Sequence, residues 1–178
     1  MFLYDNLRRW GGILTSLLLP IRSIFKVKNR PLTLNNKYKV GVHLYPGLGF
    51  LFSTTHPIVA VVSGSMEHDG SFDAWWGSTA LCDTKYCSQA EYYSLYGISK
   101  EEFSQFPFKN GFNKGDLMVL RGKSAKDIVV GDTIVFQGNR PDPLIHRVIK
   151  KWNQDNKYHF QTKGDHNEKS YPEVMETD

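Results

Sequence analysis

The chain has 178 residues, 40% of them hydrophobic, and a formal net charge of +4. That length predicts one domain, and that apolar share excludes a disordered chain. The charge is unevenly placed: residues 1–39 hold eight Lys/Arg against Asp5 alone, a balance of +7, while residues 40–178 come to −3. The basic excess therefore belongs to the N-terminal flank, which argues against a nucleic-acid groove across the domain and fits the side that stays inside when a membrane span follows.

Residues 10–25 are apolar but interrupted by Pro20 and Arg22. They are short for a span, and an interfacial helix or a partial membrane helix fits them. Nothing in the N-terminus has the small-residue cleavage site of a removable signal. Residues 40–62 contain no Lys, Arg, Asp or Glu, and 23 residues are enough for a tilted span. Pro46 and three glycines make this run a poor soluble helix. A pair of buried strands is the competing reading, because an apolar run has no period that separates the two. If the run spans the membrane, Ile58–Val62 is the first strand, leaving the membrane with Ser65 just past its end.

Residues 67–114 form an insertion that holds eleven of the chain's 24 aromatic residues. Ser88-Gln89-Ala90-Glu91 has the pattern of a capping box and opens a short helix that Gly97 closes. Ser99-Lys100-Glu101-Glu102 opens another, which must stop before Pro107. This predicts a helical cap with an aromatic core of its own, or an aromatic rim at a membrane interface or substrate path. Cys82 and Cys87, the only cysteines, lie inside it and are candidates for a local disulfide in an oxidising compartment. No zinc set is complete around them. From residue 115 onward the runs Leu117–Arg121, Ile134–Gln137, Ile145–Lys151 and Tyr158–Thr162 read as strands, with a hairpin turn at Gln154-Asp155-Asn156. The fold class expected is mainly β, a small coiled barrel with the aromatic-rich helical insertion, preceded by an N-terminal membrane segment. The expected organisation is a basic flank 1–39, a span 40–62 and a catalytic domain 63–178.

The chemistry centres on Val61-Val62-Ser63-Gly64-Ser65-Met66. A serine exposed where an apolar strand ends is placed to be a nucleophile, but it needs a base within hydrogen-bond reach. His146, in Leu144-Ile145-His146-Arg147-Val148, is the candidate, since a neutral imidazole can take the proton and return it to the leaving amine. A core histidine on a strand is the plainer alternative. Asp165, in Lys163-Gly164-Asp165-His166-Asn167, supplies a carboxylate that orients His146, braces the site, or simply makes a turn. The Ser65 backbone N–H is a candidate oxyanion donor, and Ser63 reads by itself as a small residue in a tight turn.

These segments, with Gly115-Asp116-Leu117-Met118 and Val130-Gly131-Asp132-Thr133-Ile134-Val135, resemble type I signal peptidases of the archaeal and endoplasmic-reticulum branch. The resemblance covers roughly residues 57 to 167. It implies Ser65 as nucleophile, His146 as base, Asp165 as acidic support, the Ser63 hydroxyl as an oxyanion donor on the pattern of the bacterial branch, and neither metal nor organic cofactor. It implies a membrane-bound serine endopeptidase that removes signal peptides from preproteins, accepts small residues beside the cleavage point, and faces the extracytoplasmic side. The family pattern carries a second aspartate six residues after the first. Tyr171 occupies that position here, with Glu168, Glu173 and Asp178 as nearby acids. The family usually continues past this point with another strand, so a truncated or degenerate, non-catalytic membrane-tethered β-domain is the alternative expectation.

Overall fold

The computed structural model describes residues 14–16, 45–138 and 141–175. The architecture is mainly β. A six-stranded antiparallel sheet has the order β10-β9-β8-β7-β1-β6: β10 Ser170–Met175, β9 Lys157–Lys163, β8 Leu144–Gln154, β7 Thr133–Phe136, β1 Leu14–Ser16 and β6 Arg121–Gly122. β2 Ile58–Ala60 pairs separately with β5 Leu117–Val119, and β3 Thr79–Cys82 pairs with β4 Lys85–Ser88. The β8–β9 hairpin turns through Asp155 and Asn156, both with positive φ (50° and 64°). Asp and Asn tolerate that conformation, and a turn with positive φ at both central residues matches the right-handed twist of the flanking strands.

Two expectations change. The strands do not close into a barrel among the described residues: the six-stranded sheet ends in β10 at one edge and β6 at the other, and β2–β5 stays a separate ladder. The expected span is not a single helix across its described part. Residues 45–51 form a short helix, α1, and the chain then turns through Ser53 (φ 53°) into β2. Gly47 and Gly49 weaken helix propagation there, and Pro57 requires an extended residue before it. No helix among the described residues is long and apolar enough to cross a membrane. Residues 40–44, and all of the apolar run 10–25 except the strand at 14–16, lie outside the described residues.

The insertion folds as α2 Phe72–Trp76, the β3–β4 hairpin, α3 Gln89–Ser94 and α4 Lys100–Phe103. Ser71 caps α2, a complete Ser88/Glu91 capping box opens α3, and Ser99 caps α4. Trp75, Trp76, Tyr92, Tyr93, Ile98 and Phe103 form one buried aromatic cluster, and Ile149 of β8 joins it. The neck is closed where the insertion leaves and returns: the Phe112 amide donates to Met66 O, and the Lys114 amide to Glu67 Oε1. A disulfide joins Cys82 to Cys87 across the β3–β4 hairpin. Alkylation of unreduced protein is therefore expected to leave both thiols unmodified. The Cys82→Ala/Cys87→Ala pair should lose about 2 kcal/mol on loop-closure entropy, read as a lower denaturant midpoint.

β8 divides the interior. Its side chains alternate, so His146 and Val148 face one way and Arg147 and Ile149 the other. Val148 belongs to a core with Ile134, Phe136 and Phe160, whereas Ile149 belongs to the insertion's cluster. A third cluster, Val61, Met66, Phe112, Met118, Leu120 and Val135, anchors the segment that carries Ser65.

Candidate active site

Ser65 follows β2 in a tight turn held by Glu67 N–H donating to Gly64 O at 3.1 Å. Burial of Met66, 1% exposed, fixes the residue after the serine, while Ser65 itself stays half-buried and Ser63 exposed. The two serine hydroxyls are 3.3 Å apart.

The loop after β9 docks directly on this turn. The His166 amide donates to Ser65 O at 2.9 Å, and the Asp165 amide meets Met66 Sδ at 3.5 Å. Gly164 makes the approach possible, because a Cβ there would be 2.7 Å from Ser65 O. The ladder pairs His146 with Ile134 on one side and Arg147 with Lys163 on the other. Lys163 is the last residue of β9, and Gly164 follows it where the ladder beside His146 ends. Adjacent strand residues face opposite ways, so His146 is on the face away from Arg147 and its partner Lys163, and the Ser65 turn docks on the backbone that follows Lys163. The imidazole is 3% exposed, with the rings of Phe136 and Tyr171 edge-on at 5.8 and 5.7 Å.

Asp165 lies on the other face, with Arg147. Its carboxylate receives Arg147 Nε at 3.0 Å on Oδ1 and Arg147 Nη2 at 2.7 Å on Oδ2. Tyr93 Oη donates to Oδ1 at 3.1 Å, and His68 Nε2 is 3.0 Å from Oδ2. Arg147 spends its remaining donors on the carbonyls of Pro107, Phe108 and Gly131. Both members of the pair are fully buried. Burial alone pushes the Asp165 carboxyl up, but the Arg147 charge and the hydrogen bonds from His68 and Arg147 outweigh it and hold it well below the ordinary range. The carboxylate is thus ionised and acceptor-only, so His68 Nε2 carries the hydrogen. His68 Nδ1 is left buried without a hydrogen-bond partner among the described residues, and the ring stacks on Trp75 at 3.7 Å.

Sequence reasoning reached Asp165 but missed its partners. Arg147 entered only as the residue flanking His146; the period-two alternation of a strand was the available signal that the two face apart. His68, Trp75 and Tyr93 had no local signal, since their roles depend on how the insertion folds back. Lys163 was also missed. It is fully buried, with Nζ donating to Gln89 Oε1 at 2.7 Å, and burial lowers its pKa to about 8. Between that value and the ordinary 10.5 the unfolded chain holds more protons than the folded one, so stability should rise with pH across this window. Denaturant midpoints taken from pH 7.5 to 10 should show that rise in the native protein and lose it in Lys163→Met.

Among the other acids, Glu168 is exposed, and its backbone carbonyl accepts from the Leu81 amide. The Glu173 side chain and Asp178 lie outside the described residues. Among the described residues no group of three or more His, Cys, Asp or Glu could hold a metal ion.

Comparison with known proteins finds relatives of one kind. Over 124 residues, 69% of this chain, it is 28% identical to the signal peptidase complex catalytic subunit of Schizosaccharomyces pombe and covers 52% of that protein. Over 157 residues, 87% of this chain, it is 24% identical to the corresponding subunit of Metarhizium robertsii and covers 64% of it. A shorter stretch of 59 residues, 32% of this chain, is 42% identical to a human catalytic subunit and covers 31% of it. The chain is therefore similar to signal peptidases of the endoplasmic-reticulum branch, and it spans about half to two thirds of the length of the first two. No family model and no solved structure matches it.

Proposed function

We propose that this chain is a membrane-bound serine endopeptidase that cleaves N-terminal signal peptides from exported proteins by acyl transfer to Ser65. The observation that carries the reading is the docking of the Ser65 turn on the loop that follows Lys163, the cross-strand partner of Arg147 next to His146, through the His166-to-Ser65 hydrogen bond and the close approach at Gly164. In this mechanism His146 takes the Ser65 proton as the hydroxyl attacks the scissile carbonyl. The tetrahedral oxyanion receives the Ser65 N–H and the Ser63 hydroxyl. His146 then returns the proton to the leaving amine, and a water activated by the same imidazole frees the acyl-enzyme. Asp165 acts as a brace: its carboxylate is engaged by Arg147, Tyr93 and His68, so its effect on His146 runs through the backbone of β8. The relatives' name, signal peptidase complex catalytic subunit, supports the substrate class.

The +7 flank at 1–39 and the charge-free run at 40–62 support a membrane anchor that places the catalytic domain on the extracytoplasmic side. An electrophilic serine-directed acylating probe tests the chemistry. Peptide mapping should find one adduct, on Ser65, and none in His146→Ala at the same exposure. An unlabelled chain, or a label on another serine, would favour the alternative of a binding domain without catalysis.

A further inference from the structure

The loop that receives Ser65 is held from the far side by the insertion, and this has a consequence for catalysis that rests on the reading above. Residues 163–170 pass under the insertion and are tied to six of its residues. Trp75 Nε1 donates to Asp165 O at 3.1 Å, Tyr93 Oη to Asp165 Oδ1 at 3.1 Å, and His68 Nε2 meets Asp165 Oδ2 at 3.0 Å. Gln89 Oε1 accepts from Lys163 Nζ at 2.7 Å while its Nε2 donates to Asn167 O at 3.4 Å. The Leu81 amide donates to Glu168 O at 3.0 Å, and Tyr92 Oη accepts from the Ser170 amide at 2.9 Å. The same loop turns its other side to Ser65, through His166 N–H and Gly164.

We propose that the insertion is the brace that sets Ser65 against His146, with Tyr93 and Gln89 as positioning residues for acyl transfer. Several features make it rigid enough for that work. Its aromatic cluster is closed, with ring centroids 4.9 to 6.0 Å apart among Trp75, Trp76, Tyr93 and Phe103. Its hairpin is stapled by the Cys82–Cys87 disulfide, and its neck is pinned to Met66 and Glu67. A loop tied to six residues of such a unit is held in place mainly by side-chain hydrogen bonds, and reactive geometry is sensitive to drift: a displacement of about 1 Å can cost on the order of 10²-fold in rate.

The test uses the full chain as Tyr93→Phe, which deletes only the hydroxyl, and Gln89→Leu, with Tyr86→Ser at the exposed hairpin as control. Two quantities are read on folded protein: the acylation rate at saturating probe, and hydrogen exchange at the His166 amide. Both site variants should acylate more slowly by on the order of 10-fold or more, at an unchanged half-saturating probe concentration. His166 should exchange faster in step, and the control should change neither. A folded site variant with native acylation and native His166 exchange overturns the brace. So does slower acylation with native His166 exchange, because the loss then runs by another route. If one site variant does not fold, the other decides. A native chain that takes no probe defeats the proposed catalysis and not the brace, which His166 exchange still decides.

Discussion

Ser65→Ala is expected to remove on the order of 10⁴–10⁶ of the rate while the fold persists, the scale seen when a catalytic serine is lost and only binding and oxyanion stabilisation remain. The side chain is half-buried, and its hydroxyl's hydrogen bond is to Ser63 Oγ, so deleting it opens no core cavity and strands no buried partner. The backbone carbonyl that receives His166 is unaffected by the substitution. Ser63→Ala is expected to be milder, on the order of 10²–10³, if its hydroxyl serves the oxyanion. Precursor turnover at saturating substrate, set beside thermal melts of the same preparations, separates the two effects. Native turnover in Ser65→Ala would move the active site elsewhere.

Arg147→Met carries the largest expected effect on stability. It removes the guanidinium that neutralises a fully buried Asp165, and breaking a buried pair typically costs about 3–5 kcal/mol. For a chain of this size that corresponds to a melting temperature lower by about 10 °C. Asp165→Asn should cost a comparable amount, since it leaves the arginine uncompensated. The Arg147→Met/Asp165→Leu pair should lose less than the sum of the single changes, because each single variant strands the other's charge. The pH dependence has a definite sign. A carboxylate held below its ordinary 3.8 contributes stability that is fully present above that value and is lost as pH falls through the lower folded value. Below 3.8 the native protein should therefore lose stability more steeply than the double variant.

The parts of this arrangement written locally in the sequence could be read from it. The strand before Ser65, the Ser88/Glu91 box, the Asp155–Asn156 turn and the strands between Leu117 and Lys163 each follow from short-range preferences of a few neighbouring residues, whereas β10 is not read from them. The role of Asp165 could not be assigned that way. Asp165 belongs to the loop that docks on the Ser65 turn, but adjacent positions on β8 point to opposite faces, and Asp165 joins Arg147 rather than the neighbouring His146. Which face Asp165 joined was decided by the insertion, whose Trp75, Tyr93 and His68 come from 72 to 97 residues earlier in the chain. The extent of the helix at 45–51 was equally hidden. An apolar run carries no period that distinguishes a span from a short helix and a strand, and Gly47, Gly49, Ser53 and Pro57 resolve it only once the backbone is known.

The central claim, that Ser65 cleaves signal peptides, is tested most directly by mass spectrometry of a precursor bearing its signal peptide, incubated with the full chain in detergent or lipid. The account predicts one cut, after a small residue at the end of the signal peptide, with the cut absent in both Ser65→Ala and His146→Ala. An uncut precursor with the folded native chain, or the same cut made by Ser65→Ala, would contradict it.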